Sequence, residues 1–173
     1  MKYLLSFSFL IIIISCTNAG NTDSASKSGE GKSGERAYTK DELRFIKEAD
    51  SICKIIDTDG QKRNTKQRTF TDKDGQQYPL YLIGYSKDQP DSLDKLVTKA
   101  VFSEQKSAST TFYYNNGTVI KSLFEILADD TVHLSFYFNS DKLIYPNEPG
   151  MEKEAKQMFA ESNTWKKEFL AKE

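Results

Sequence analysis

One histidine, two cysteines and four prolines are all that 173 residues supply, and each shortage argues against a class of chemistry. A lone imidazole, His133, builds no His-Cys cluster at zinc-ligand spacing, and any Ser-His-Asp triad would have to use it. Cys16 and Cys53 are too few for the disulfide framework of a small secreted domain. Lys and Arg number 24 against 25 Asp and Glu, so the basic excess of a nucleic-acid binder is missing. No apolar run approaches the roughly 20 residues that cross a bilayer as a helix. What is present is aromatic: 11 Phe, 9 Tyr and one Trp, a content that an intrinsically disordered chain does not carry. The length accommodates one domain plus appendages.

The appendages come first. Lys2 precedes an apolar run from Tyr3 to Ile14, broken only by Ser6 and Ser8, and its 12 residues fit the h-region of a secretory signal. The run ends in Ile13-Ile14-Ser15-Cys16, which resembles the lipobox of bacterial lipoproteins at all four positions. That resemblance implies diacylglyceryl transfer to the Cys16 sulfur, cleavage after Ser15 and acylation of the new amino group. Two acyl chains give stable anchoring. The residue after Cys16 is Thr17, not the Asp of an inner-membrane retention signal, and residues 17–21 carry no acid. The lipobox resemblance therefore implies the outer membrane, on its periplasmic face.

From Thr17 to Ala37 the chain holds Ser, Gly, Asn, Thr, Lys and Glu with alanines as the only apolar residues, so it has nothing to bury and reads as a flexible tether. Removing the signal takes away Lys2 and leaves a net charge of 23 minus 25, or -2. On that sum no basic patch reinforces the membrane contact. The expected organisation is residues 1–15 as signal, 16–37 as lipidated Cys and tether, and 38–173 as a single domain.

That domain is predicted to be α+β, with an N-terminal helix, an antiparallel meander of six to seven strands and a C-terminal helix. Leu43, Ile46, Ala49, Ile52, Cys53 and Ile56 recur at spacings of three and four, predicting a helix over Thr39–Asp57. Thr39 and Glu42 have the capping-box pattern, and Asp59-Gly60 marks the stop. Strands are predicted near Gln67–Thr71, Tyr78–Tyr85, Leu96–Ser103, Thr110–Asn115, Thr118–Leu127, Thr131–Phe138 and Lys142–Tyr145. Asp74-Gly75 and Asn116-Gly117 supply positive φ for tight hairpins, which join only antiparallel neighbours. Helical spacing returns over Pro149–Ala171 with Met151, Ala155, Met158, Phe159, Ser162, Trp165 and Phe169.

Residues 112–120 (FYYNNGTVI) align without gaps with residues 136–144 (FYFNSDKLI), each an aromatic strand, a polar turn and an aliphatic strand. Duplication and convergence of two hairpins both account for it. The pattern resembles small secreted bacterial lipoproteins with antiparallel sheets, a likeness of about 40 residues that supports the fold and implies no activity. Alternation places Val132, Leu134, Phe136 and Phe138 on a core face and His133, Ser135 and Tyr137 on the other. The strand over Thr118–Leu127 is apolar on both sides, which fits either helices on both faces of the sheet or one open binding face.

The apparent catalytic motifs fail on context. Gly29-Glu30-Gly31-Lys32-Ser33-Gly34 satisfies G-x-G-x-x-G, but lies in the tether without the strand and helix that a phosphate site needs. Ser-x-x-Lys matches such as Ser24 to Lys27, Ser92 to Lys95 and Ser103 to Lys106 lack the partner motifs of penicillin-interacting enzymes. Asp57-x-Asp59-Gly60 and Asp72-x-Asp74-Gly75 reach Gly at the fourth position, where a calcium loop has it at about the sixth. Cys53, on the apolar side of the first helix, reads as a small hydrophobe.

The residues singled out for binding are Tyr81, Tyr85, Tyr113, His133 and Tyr137, either an aromatic platform for a glycan or protein or a second core layer under the helix with Trp165. No catalytic residue, metal or cofactor is expected, and the sequence reads as a non-enzyme. The expected partners are the membrane, through acyl chains on Cys16, and an envelope protein or glycan, with no nucleic acid. The expected function is a non-catalytic, membrane-anchored binding or interaction module. The alternatives are an inhibitor or immunity-like protein blocking a periplasmic enzyme or toxin, and a hydrolase using carboxylates.

Overall fold

The computed structural model describes residues 37–87, 92–128, 131–145 and 151–171; the signal, Cys16, the Gly29–Gly34 motif and most of the tether lie outside the described residues. Those residues form an α+β structure with a seven-stranded antiparallel sheet and two helices. Helix α1 (Lys40–Asp59) starts on the predicted capping box: Thr39 Oγ1 accepts from the Glu42 amide at 3.2 Å, and Glu42 Oε2 accepts from the Thr39 amide at 2.9 Å. It stops at Gly60, whose backbone turns extended (φ -66°, ψ 119°) while its N–H still donates to the Ile56 carbonyl; a Cβ there would lie 2.3 Å from that oxygen, so the position suits glycine.

The strands are β1 (Gln61–Thr71), β2 (Gln77–Ser86), β3 (Lys95–Val101), β4 (Ser107–Asn115), β5 (Thr118–Leu127), β6 (Val132–Asn139) and β7 (Lys142–Tyr145), paired in sequence order. The β4–β5 turn has φ of 49° at Asn116 and 78° at Gly117, as the Asn-Gly pair predicts. In the β1–β2 turn the Asp72 carboxylate accepts from the amides of Asp74 and Gln76 at 2.9 and 2.8 Å, while Gly75 takes φ 80°. That acid is thus committed to holding a turn. Strand β1 begins six residues before the predicted Gln67, in a polar stretch without alternation. As an edge strand it pairs with β2 alone, so an alternating apolar pattern was not required of it.

Helix α2 (Glu152–Leu170) covers one face of the sheet. Leu82, Leu96, Phe112, Ser122 and Phe136 are sealed on this side, with Phe138 against Phe159 at a ring separation of 5.7 Å. The Tyr114 hydroxyl donates to the Ser162 carbonyl at 2.9 Å. At the far end Phe169 lies over Gly84 so closely that a Cβ would come within 2.2 Å of its ring. Lys66 Nζ donates to the Ala171 carbonyl at 2.6 Å, neutralising the negative end of the helix. Trp165 is buried in this layer, so the Trp165 helix does not cover the tyrosine face as the sequence suggested.

The tyrosine face is covered by α1. Ala49, Cys53 and Ile56 form a buried cluster with Tyr113, Ile120, Tyr137 and Ile144. Ile120 and Ile144 reach it through the same device. Tyr113 pairs with Lys121 but Tyr114 pairs with Val119, leaving Ile120 as an extra residue; Tyr137 pairs with Tyr145 but Phe138 with Leu143, leaving Ile144 as another. The first bulge lets Ile120 share the α1 side with Lys121, and the second brings Ile144 into the same buried cluster. The two-sided apolar pattern of β5 follows: Val119, Phe124 and Ile126 share the α2 side, while Ile120, Leu123 and Leu127 share the α1 side. The nine-residue repeat, 24 residues apart, thus shares its bulge and a positive φ at the matching Asn116 and Ser140, while positive φ at the next turn position is confined to Gly117 of the first copy.

Candidate binding surface

The register places one row of residues on the α1 side across five strands: Tyr85, Lys95, Tyr113, Lys121 and Tyr137 are successive partners, with Lys62 and Tyr145 as the backbone partners at its two ends. Through Tyr137 lysine and tyrosine alternate, so each ammonium from Lys95 on has a phenol ring beside it. Lys95 Nζ lies 4.3 Å from the Tyr85 ring centre and Lys121 Nζ 4.8 Å from that of Tyr137.

Helix α1 meets this row with two aspartates. Asp57 accepts from Lys95 at 2.8 Å and from the Tyr113 hydroxyl at 3.1 Å. Asp50 accepts from Lys121 at 2.8 Å and from the Tyr137 hydroxyl at 2.6 Å. Seven helical residues rise about 10.5 Å and two strand spacings cover about 9.6 Å, so acids seven apart on α1 fall over equivalent strands two apart. The Tyr113 phenol is held above its usual range by burial and then by the Asp57 charge, and Tyr137 by burial and then by its bond to Asp50. For Lys121 burial opposes the charge, but the bonds to Asp50 and Tyr137 outweigh it and leave the amine above its ordinary value.

This corrects the expected aromatic platform at two of its five residues. Tyr113 and Tyr137 are 8% and 6% exposed beneath α1 and present no surface to a partner. Tyr85, half-buried, supports Lys95. Tyr81 and His133 fall elsewhere, on a row farther from the helix: Gln67, Tyr81, Lys99, Ser109, Glu125 and His133 are successive partners on the same side of the sheet. Here Lys99 and His133 are exposed, and Tyr81, Ser109 and Glu125 half-exposed. Val97 and Leu123, one row nearer α1, are half-exposed, and Leu127, one row farther, is 52% exposed. His133 Nδ1 lies 3.0 Å from Glu125 Oε1, a side-chain contact between β5 and β6. On the opposite face of the same strands Leu80, Ala100 and Ala108 are buried, while Phe124, Ile126, Val132 and Leu134 are half-buried; the shelf is the part of the α1 side that the helix leaves open.

Among the described residues no group of three or more His, Cys, Asp or Glu side chains is placed to hold a metal ion. The Cys53 thiol, buried under α1, is pushed up to about 12 by its burial, against the opposing pull of Lys121, so it is not a nucleophile at neutral pH. Asp57 and Asp59 of the calcium-like motif are drawn to Lys95 and Lys87. Sequence reasoning missed Lys99, Ser109 and Glu125, which become a site only once the register sets them beside Tyr81 and His133. The aspartates over the ladder left a signal that went unused: Asp50 and Asp57 stand seven apart on the border of the apolar stripe.

The chain matches no protein-family model, no curated protein and no solved structure.

Proposed function

We propose that the protein is a lipid-anchored binding module of the bacterial cell envelope. In this reading residues 1–15 are the signal, Cys16 carries the acyl chains that hold the outer membrane, residues 17–37 are the tether, and the folded domain opens on α1 and faces the periplasm. Among the described residues no helix is long and apolar enough to cross a membrane.

The observation that carries the reading is the shelf of Tyr81, Lys99, Ser109, Glu125 and His133. It is built on interior strands β2 to β6 and mixes an aromatic ring, both charge signs and flanking aliphatics, which suits an envelope protein or glycan. Wild-type protein should capture such a partner from solubilised envelopes, and Tyr81→Ala with His133→Ala should lose it while keeping the fold by circular dichroism. Recovery of no envelope component by the wild type would count against the module.

The same rigid platform suits an inhibitor or immunity-like protein, in which case deletion sensitises cells to one toxin or hydrolase. The Glu125–His133 pair keeps a carboxylate hydrolase as a third reading. Glu125→Gln would then abolish turnover of a glycan substrate.

A further inference from the structure

We infer that the solvent face of α1 is a second membrane contact, lying on the headgroups of anionic phospholipids; the inference rests on the lipid-anchor reading above. Summed over its sequence α1 has four cations and six carboxylates, which hides how the fold sorts them. Asp50 and Asp57 turn onto Lys121 and Lys95, and Asp59 onto Lys87 at 3.5 Å. Glu42 is buried in the capping box, and Asp41 and Glu48 flank Arg44 at 3.2 and 4.0 Å. Two lysines of the sheet, and Lys87 just after β2, thus draw three of the helix's acids inward or to its flank. What faces outward is Lys40, Lys47 and Lys54, all exposed and spaced seven apart, with Arg44 beside them and the exposed Asp41 and Glu48 at the margin, both within reach of Arg44.

That spacing sets the three ammonium groups along one stripe about 21 Å long. Leu43 and Ile55 stand on either side of it, 45% and 50% exposed. Because the apolar stripe of α1 is docked on the sheet, a row of lysines between two protruding aliphatics suits a surface contact with anionic headgroups and not insertion among the acyl chains. Position in the chain supplies the proximity. Lys40 follows Cys16 by 24 residues, and a Gly/Ser-type coil of that length spans roughly 25 Å root-mean-square. Three lysines alone bind such a surface weakly, but the anchor makes their contact intramolecular and raises the effective lipid concentration.

An orientation follows. The shelf lies on the same side of the sheet as α1, so with α1 down it opens toward the bilayer across a gap of about one helix diameter, 10–12 Å. The partner it fits is then one presented at the membrane surface.

The test uses the full chain purified from a bacterial host and reconstituted into phosphatidylcholine vesicles with and without phosphatidylglycerol. A pulse of lysine acetylation is read by peptide mass, and the mass of the N-terminal peptide reports Cys16 acylation in the same sample. The expected result is acylated Cys16 with Lys40, Lys47 and Lys54 modified at least about threefold more slowly in the anionic vesicles, relative to Lys153 and Lys167 of α2. High salt should abolish the difference, and Lys47→Glu with Lys54→Glu should remove the protection of Lys40. Acylated protein with equal rates in both vesicles overturns the α1 contact and leaves the anchor standing. Equal slowing in phosphatidylcholine and in detergent overturns it too, by assigning the cover to a second copy or another segment. Unmodified Cys16 removes the anchor and the proximity on which the contact depends.

Discussion

Tyr113, Tyr114 and Tyr137 hold their protons more firmly than free phenols do, all three chiefly through burial, with Asp57 and Asp50 adding to the effect at Tyr113 and Tyr137. An unfolded tyrosine ionises near pH 10, at about the reference value. The folded values lie above it, so the stability these groups contribute is intact below about pH 10 and is lost as pH rises through the folded values. A phenolate absorbance titration should therefore show some of the nine tyrosines ionising only together with unfolding. Simultaneous ionisation of all nine with the fold intact would contradict the burial. Cys53 follows the same logic: its thiol, pushed up to about 12, should resist alkylation in the native protein and react fully once the chain is denatured. Rapid native labelling, located at Cys53 by peptide mapping, would mean that α1 does not cover it.

At the scale of elements, α1 is docked by a small apolar cluster and two Lys-Tyr-Asp sets of the same design. Asp50→Asn and Lys121→Met, alone and together, should show a coupling of about 1 kcal/mol in denaturant unfolding, modest because Asp50 is half exposed. The Asp57 and Lys95 cycle should give a similar value if the two sets are equivalent. Helix α2 is held differently, by close packing, and Gly84→Ala forces the Phe169 ring aside at a cost of about 1–3 kcal/mol.

The sequence showed what is local. The capping box of α1 and the Asn-Gly turn were legible because neighbouring residues decide them. The bulges at Ile120 and Ile144 were not, because an extra residue in a strand is visible only against its partner. The assignment of helices to faces was also hidden, since it depends on which side Asp50 and Asp57 find their lysines. The first half of β1 was missed for want of a second strand to bury it.

For the whole molecule, the sheet separates two roles. Its α2 side holds most of the core, while its α1 side is divided between a clamp that holds a helix and a shelf that stays open. Of the candidate residues named from sequence, Tyr113 and Tyr137 belong to the clamp, Tyr85 supports it, and Tyr81 and His133 remain on the shelf. The most direct test of a binding module is to place a photo-crosslinking amino acid at Lys99, on the shelf, and at Asn163, on the exposed side of α2, and to irradiate living cells. The account predicts one discrete adduct in the membrane fraction from position 99 and none from position 163. Adducts from position 163 alone would contradict it and move the binding surface to the opposite side of the sheet.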